Sequence, residues 1–167
     1  SEAYDDGNVM MICTSLGEII KPEEWPDKLF QRKYRNATMV AWNLKYDAGA
    51  FLQHLPLEAL DTLRRTNRCE HNGYSYHVIA NKMLNISKKS LYVTIYDIMQ
   101  FYGGSLDYNA KKYIGDQKED METKSFSREF VSQNWDRIAS YCLHDADLTA
   151  KLAMRFIDQL ASWGMAV

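Results

Sequence analysis

The stretch from residue 38 to residue 55, TMVAWNLKYDAGAFLQHL, contains the change of pattern that decides the fold. Its first five residues are β-branched or apolar, which predicts a buried strand. Asn43 ends that run, and beyond Asp47 apolar residues recur at helical spacing as far as Leu55. A strand that passes directly into a helix is typical of α/β folds. Polar side chains at such a junction lie at the rim of the sheet, where ligand sites tend to form.

Each polar residue at this junction also has a purely structural interpretation. Asp47 would stabilise the first turn of a helix through the helix dipole. Asn43 is a common turn former, and Tyr46 could be a partly buried aromatic side chain. The junction alone leaves both interpretations open.

Outward from this stretch, the pattern alternates between strands and helices, with no internal repeat. We predict strands at residues 9–15, 18–20, 74–80, 83–86 and 91–98. We predict helices at residues 22–35, 47–65 (broken near Pro56), 106–113 and from Asn134, as N-cap, to Leu160. The polar segment 115–128 is predicted to be a loop. This succession of strands, helices and a β-meander indicates a mixed α/β fold.

Composition bounds the class of protein. The chain has 167 residues, 46% of them apolar and 25% charged, which fits one domain (residues 1–167) with a substantial core. A net charge of −2 argues against a protein that coats duplex nucleic acid. The three cysteines lack a CxxC pair, so we expect neither a cysteine zinc site nor a disulfide framework. We expect an intracellular, reducing location instead. No apolar run is long enough to predict a membrane span.

The final helix carries a tyrosine and a carboxylate at helical spacing. Tyr141 and Asp145 are four residues apart, so both project from one face of the helix. A hydroxyl beside a carboxylate can orient a water molecule that a metal on the carboxylate also holds. A packed tyrosine and a solvated helix charge explain the same spacing. Glu2 has a similar alternative, since a glutamate near a chain terminus is most often solvated.

Taken in order, these residues resemble the motifs of a known family. NLKYDAGAFLQHL and YCLHDADLTAKL resemble the second and third exonuclease motifs of family B DNA polymerases, especially the protein-primed viral branch. VTIYDIMQF and SLDYNAKKYIG resemble the segment between those motifs. The resemblance covers most of the chain. It implies a ribonuclease H-like fold, with a mixed central sheet flanked by helices, and the 3′–5′ exonuclease activity that proofreads newly made DNA.

The chain departs from the family at the first motif. That motif is Asp-x-Glu at the end of the central strand, and Ser1-Glu2 matches only its last two positions. We therefore expect the first strand to be truncated and the sequence to be a fragment of a longer polymerase. A molecule that lacked the motif's aspartate would be expected to lose catalysis.

The resemblance implies a chemistry and a role for each residue. Two Mg²⁺ or Mn²⁺ ions would act in phosphodiester hydrolysis. Glu2, Asp47 and Asp145 would hold these ions, and Tyr141 would orient the attacking water. Asn43 and Tyr46 would contact the 3′-terminal nucleotides of a single strand.

Four other residues have a less definite role in the sequence. Asp97 ends a predicted strand and is either structural or close to the metals. Lys118 and Lys124 lie in the polar loop and either contact phosphates or are solvated. His144, next to Asp145, could indicate the histidine subtype of the family. Tyr141 at the matching position favours the tyrosine subtype instead.

Three interpretations of function follow. The first is an exonuclease domain that acts on single-stranded DNA 3′ ends beside the polymerase domain of the same chain. A terminal protein or replication factors would be further partners, in the host cytoplasm, nucleus or organelle if the protein is viral or plasmid-borne. The second is an inactive exonuclease-like domain that binds single strands or serves as a scaffold. The third is an unrelated α/β domain, which predicts that Asp47 and Asp145 lie far apart.

Overall fold

The computed structural model describes residues 1–121 and 125–165, and these form a mixed α/β structure. Eight strands are present in this part of the chain: β1 (Glu2–Ala3), β2 (Val9–Cys13), β3 (Ile19–Ile20), β4 (Thr38–Ala41), β5 (Arg68–His71), β6 (Tyr74–Ile79), β7 (Met83–Lys88) and β8 (Leu91–Asp97). The α-helices are α1 (Leu44–Leu52), α2 (Leu57–Thr66), α3 (Met99–Tyr102), α4 (Leu106–Ile114) and α5 (Arg128–Ser162). The predicted mixed sheet flanked by helices is confirmed at this level of description.

The strands form two sheets. β1, β2 and β3 make a small antiparallel sheet in that order, and the larger sheet has the order β4-β8-β7-β6-β5. β4 and β8 are parallel and in register from Thr38 opposite Thr94 to Ala41 opposite Asp97. The other pairs of the larger sheet are antiparallel. Because the ends of β4 and β8 coincide, the residues that follow them meet at one rim of the sheet.

Alternating burial follows the strand period in the larger sheet. Leu84 and Ile86 of β7 and Val93 and Ile95 of β8 are buried on the face that packs against α1, α2 and the segment before β4. A second apolar cluster joins β2 to the first half of α5 through Met11 and Ile138. A third joins α4 and the second half of α5 to the end of β8. The helix α5 thus packs against both sheets, with its first half on the small sheet and its second half at the end of β8.

The helix predicted for residues 22–35 is wrong. The segment forms three short 3₁₀ turns, Pro22–Glu24, Asp27–Phe30 and Arg32–Tyr34. Pro26 interrupts the segment, because proline lacks the N–H that a continuous helix requires. The apolar residues that suggested a helix are nevertheless buried, with Trp25 and Leu29 in the main core and the Trp25 indole donating to the Phe51 carbonyl.

The start predicted for the last helix is also wrong. Ser127 is the N-cap of α5, and its hydroxyl accepts a hydrogen bond from the Phe130 amide. Asn134 lies inside the helix with non-helical backbone angles of φ −125° and ψ 22°. Its side chain donates to the Phe130 carbonyl. Asn134 therefore marks a kink in α5 and is not its beginning.

Two further elements differ from the sequence-based expectation or refine it. The helix predicted at 47–65 is two helices, α1 and α2, separated at Pro56 as expected, although α1 begins earlier, at Leu44. The strand β5 was not predicted, because RCEH is short and mostly polar. Within residues 1–121 and 125–165, no helix has the length and apolarity required to cross a membrane.

Left-handed backbone conformation recurs at asparagines. Five asparagines of the described residues have positive φ: Asn36, Asn43, Asn67, Asn72 and Asn81. Lys89 also has positive φ. Asparagine tolerates this conformation better than other residues that carry a β-carbon. Asn72 is followed by Gly73 in the β5–β6 hairpin, which matches the turn that two-residue hairpins prefer.

Candidate functional site

The junction between β4 and α1 is held by the end of the neighbouring strand. Asp97, the last residue of β8, accepts hydrogen bonds from the backbone amides of Asn43 (3.2 Å), Leu44 (3.0 Å) and Met99 (2.9 Å). Asn43 adopts the left-handed conformation, with φ 63° and ψ 61°, and makes no side-chain cap hydrogen bond. The left-handed backbone conformation therefore explains an asparagine at position 43 without any role in binding. Its side chain is exposed, so a substrate contact remains open to it.

Of the three carboxylates named from the sequence, Glu2 lies close enough to both Asp47 and Asp145 for their charges to affect it. Burial raises the pKa of Glu2, and Asp145 and Asp47 raise it further, against the lowering effect of the N-terminal ammonium and Lys118. The same ammonium acts on the pKa of Asp145. Glu2 comes from β1, Asp47 from α1 and Asp145 from α5. Because Asp47 and Asp145 both act on Glu2, they do not lie far apart, contrary to the distance that the third interpretation predicts.

Asp47 is paired with the first residue of the chain. Its Oδ1 atom lies 2.8 Å from the N-terminal ammonium of Ser1 and accepts a hydrogen bond of 2.7 Å from the Ser1 hydroxyl. Burial lowers the pKa of this ammonium, but the charge and hydrogen bond of Asp47, together with Cys142 and Glu2, outweigh burial and the pKa rises to about 10. The Asp47 carboxylate therefore faces the residue that directly precedes Glu2.

Asp145 is paired with Lys118. The Lys118 ammonium lies 2.5 Å from Asp145 Oδ2 and 4.9 Å from the centre of the Tyr141 ring. Burial raises the pKa of Asp145, and Lys118 opposes that rise. Burial lowers the pKa of Lys118, but hydrogen bonds to Asp145 and Tyr141 and the charges of these two residues together outweigh burial, and the net pKa is raised. Lys118 thus joins the residues of the predicted YxxxD pair into one charged group.

The segment that carries Lys118 is tied to α5 at several points. The Gln117 carbonyl lies 2.8 Å from His144 Nε2, and Asp116 lies 3.5 Å from the Lys151 ammonium. The Lys118 amide donates to Asp107. Sequence reasoning predicted that Lys118 either contacts phosphates or is solvated, and not that it pairs with Asp145, because an aperiodic loop does not reveal which way it folds. Lys124, named with it, lies outside the described residues.

The remaining candidates have distinct surroundings. Tyr46 is 57% exposed, and burial of its hydroxyl, with Glu2 and Asp47, raises its pKa. Burial also raises the pKa of Tyr141. His144 contacts Gln117 and Asp116, so its nearest partners belong to the loop. Tyr46 is therefore an exposed aromatic side chain beside the partly buried carboxylates.

The cluster matches a divalent cation in donor type but is not assembled as a coordination shell. Carboxylate oxygens are the donors that Mg²⁺ and Mn²⁺ prefer. Asp145 Oδ1 is buried and has no hydrogen-bond partner among the described atoms, as expected of an oxygen intended for a ligand. Across residues 1–121 and 125–165, no three His, Cys, Asp or Glu side chains are placed to hold a metal ion. The Lys118 ammonium instead occupies one oxygen of Asp145, and the Ser1 hydroxyl donates to one oxygen of Asp47.

Comparison with known proteins adds no relative. No protein-family model, no curated protein and no solved structure matches the chain. Interpretation of the cluster therefore depends on its own residues and on the sequence motifs.

Proposed function

We propose that this chain is the 3′–5′ exonuclease domain of a family B DNA polymerase of the protein-primed viral-like branch, with a ribonuclease H-like fold. Its substrate is the 3′ end of single-stranded or frayed DNA, and its cofactors are two Mg²⁺ or Mn²⁺ ions. One observation carries the proposal: Glu2, which matches the family's first motif, lies close enough to Asp47 and Asp145, which match the second and third, for both of them to raise its pKa, although the three residues come from separate elements.

The proposal also explains why buried carboxylates are grouped at all. Burial and mutual repulsion raise the pKa of Glu2, which costs free energy of folding at neutral pH. A group of this kind is common at functional sites. When bound, two divalent ions supply an activated water and stabilise charge on the phosphate and the departing oxygen.

Each residue of the chain then has a specific task. Glu2, Asp47 and Asp145 hold the ions, with Asp145 Oδ1 as the oxygen that has no other partner. Tyr141 orients the attacking water. Tyr46 packs on the sugar or base of the terminal nucleotides and Asn43 hydrogen-bonds to them. Lys118 balances the charge of Asp145.

The test is digestion of a single-stranded oligonucleotide by the full-length protein, with Mg²⁺, with Mn²⁺ and with a chelator. We expect stepwise shortening from the 3′ end that requires the metal. Asp47→Asn and Asp145→Asn should lower the rate more than about 100-fold, because even outer-shell partners of a metal are worth about 10–100-fold. Both variants should unfold at nearly the wild-type temperature, and Tyr141→Phe should lose less activity.

Asp147→Asn is the matched control. Asp147 lies two residues beyond Asp145 on α5 and pairs with Lys151 at 2.8 Å on the surface. The control should digest DNA at the wild-type rate. Unchanged digestion by Asp145→Asn, or large unfolding of that variant, would overturn the assignment.

A second function is favoured by Lys118, whose ammonium already pairs with Asp145. In this alternative the domain is catalytically inactive and binds single strands or serves as a scaffold for the polymerase. Fluorescence anisotropy with a labelled oligonucleotide distinguishes the two functions. Binding that needs no metal, together with no cleavage by the wild type, would favour the inactive module.

A further inference from the structure

We propose that Asp97 is a positioning residue, whose buried carboxylate holds the β4–α1 junction in the conformation that directs Asn43, Tyr46 and Asp47 into the site. The effect on cleavage rests on the proposed exonuclease function. The hold on the junction is a property of the fold and can be measured without cleavage.

Both oxygens of the Asp97 carboxylate are engaged by backbone amides. Oδ1 accepts from Asn43 at 3.2 Å and from Met99 at 2.9 Å, and Oδ2 accepts from Leu44 at 3.0 Å. Asp97 is only 4% exposed. With all three donors on the backbone, the carboxylate connects the end of β8 to the start of α1 and to the start of α3. This geometry assigns Asp97 to the support of the site and not to the ligands of a metal.

The first turn of α1 requires a partner of this kind. The leading amides of a helix have no acceptor within the helix, and a side chain usually supplies one. Asn43 occupies the N-cap position, but its side chain makes no cap hydrogen bond. Asp97 supplies the acceptor from the neighbouring strand, and its charge also suits the positive end of the helix. Hydrogen bonds to an ionised acceptor are stronger than neutral ones.

The same contact holds a backbone conformation that is otherwise unfavourable. Asn43 lies in the left-handed region, with φ 63°. The parallel register places Asp97 opposite Ala41, and the Ile98 amide donates to the Ala41 carbonyl at 3.0 Å. Hydrogen bonds therefore hold the junction at Ala41, immediately before the turn, and at Asn43, within it. Because Tyr46 and Asp47 stand in the first turn of α1, a change at the junction alters the direction of both.

Asp97→Asn and Asp97→Ala, with Thr94→Val as the control, test the proposal. Asparagine keeps the shape of aspartate but replaces one acceptor oxygen by an NH₂ donor that opposes the backbone amides. Thr94 is another buried polar residue of β8, bound by the Asn85 side chain, and valine has its shape. The control removes a buried hydrogen bond from the same strand and leaves the junction intact.

The first measurement is the hydrogen-exchange rate of the Asn43 and Leu44 amides in the full-length protein. We expect exchange to accelerate about tenfold or more in Asp97→Asn and further in Asp97→Ala, because each variant removes hydrogen bonds to a charged group. In Thr94→Val the exchange at these two amides should stay at the wild-type rate. Unchanged exchange in Asp97→Asn would overturn the proposal.

The second measurement is metal-dependent DNA cleavage at a temperature at which all variants are folded. The expected rate falls in the order wild type, Asp97→Asn, Asp97→Ala. Thr94→Val should cleave like the wild type, even where its unfolding temperature is lowered as much as that of Asp97→Asn. Equal cleavage by Asp97→Asn and Thr94→Val would show a merely structural role and overturn the proposal. Should the wild type cleave nothing, the proposed function fails, and the exchange rates alone decide the role of Asp97.

Discussion

At the scale of single residues, Lys118 is the side chain that brings positive charge to the carboxylates of the site. It pairs with Asp145 and also lowers the pKa of Glu2. Lys118 reaches Asp145 from a loop and is partly buried beside Tyr141. The ionisation of Asp145 therefore depends on Lys118 as well as on burial.

Lys118→Ala should raise the pKa of Asp145 further above its ordinary range. Lys118 lowers that pKa through a hydrogen bond and through its charge, so its removal leaves burial opposed only by the smaller effects of the N-terminus and His144. The measurement is a pH titration of the side-chain carboxyl carbons by NMR. Lys111→Ala is the control, because Lys111 pairs with exposed Asp107. An unchanged pKa of Asp145 in Lys118→Ala would contradict the ion pair.

At the scale of elements, α5 is the part that connects the molecule. It packs against β2 with its first half and against the end of β8 and α4 with its second half. Between these contacts it presents Tyr141 and Asp145 to the site. Its first turn is capped by Ser127, whose hydroxyl accepts from the Phe130 amide. The stability of that first turn thus bears on the packing of Phe130 and Val131 against β2.

Ser127→Ala should lower the free energy of unfolding by about 1 kcal/mol, since alanine cannot accept the Phe130 amide. For a chain of this size the unfolding temperature would fall by about 2–4 °C. Urea denaturation followed by circular dichroism measures the change. Ser132→Ala, five residues further along the same helix, is the control. It removes a hydroxyl that donates to the Glu129 carbonyl and caps no helix end. That control should change stability by less than about 0.5 kcal/mol.

At the scale of the whole molecule, sequence reasoning found the elements that have clear periods. The strands β6, β7 and β8, the break at Pro56 and the body of α5 were predicted, because apolar periodicity marks the side that is buried. The helix predicted for segment 22–35 was wrong, because apolar residues that are buried in short turns can have the same spacing as those of a helix. The parts of the site were harder to predict. The ion pair between Lys118 and Asp145 and the backbone contacts of Asp97 exist only after distant segments meet.

The grouped carboxylates also predict how stability depends on pH and metal. Burial raises the pKa values of Glu2 and Asp145 above their ordinary values of 4.5 and 3.8. The folded protein therefore retains protons that the unfolded chain has released. The stability gained from these two groups is fully present below the ordinary values and is lost as the pH rises through the raised values.

Divalent metal should offset that loss near neutral pH. We expect Mn²⁺ or Mg²⁺ to raise the unfolding temperature at pH 7, because a ligand that binds the folded state stabilises it. The increase should diminish near pH 4, where protons compete for the same carboxylates. Differential scanning fluorimetry with metal, and with a chelator, measures the shift. Glu2→Gln should reduce the shift at pH 7, and an equal shift in that variant would argue against metal at this cluster.

The left-handed conformation at Lys89 has a practical consequence for protein engineering. Lys88 pairs with Leu91, so Lys89 is the first of two loop residues in the β7–β8 hairpin, with φ 56°. Glycine is favoured at that position when φ is positive, and relief of the side-chain clash is worth about 1 kcal/mol. Lys89→Gly should therefore raise the melting temperature by about 2–4 °C, as thermal denaturation would measure. Heat tolerance could thus be increased at a loop remote from every residue assigned to catalysis.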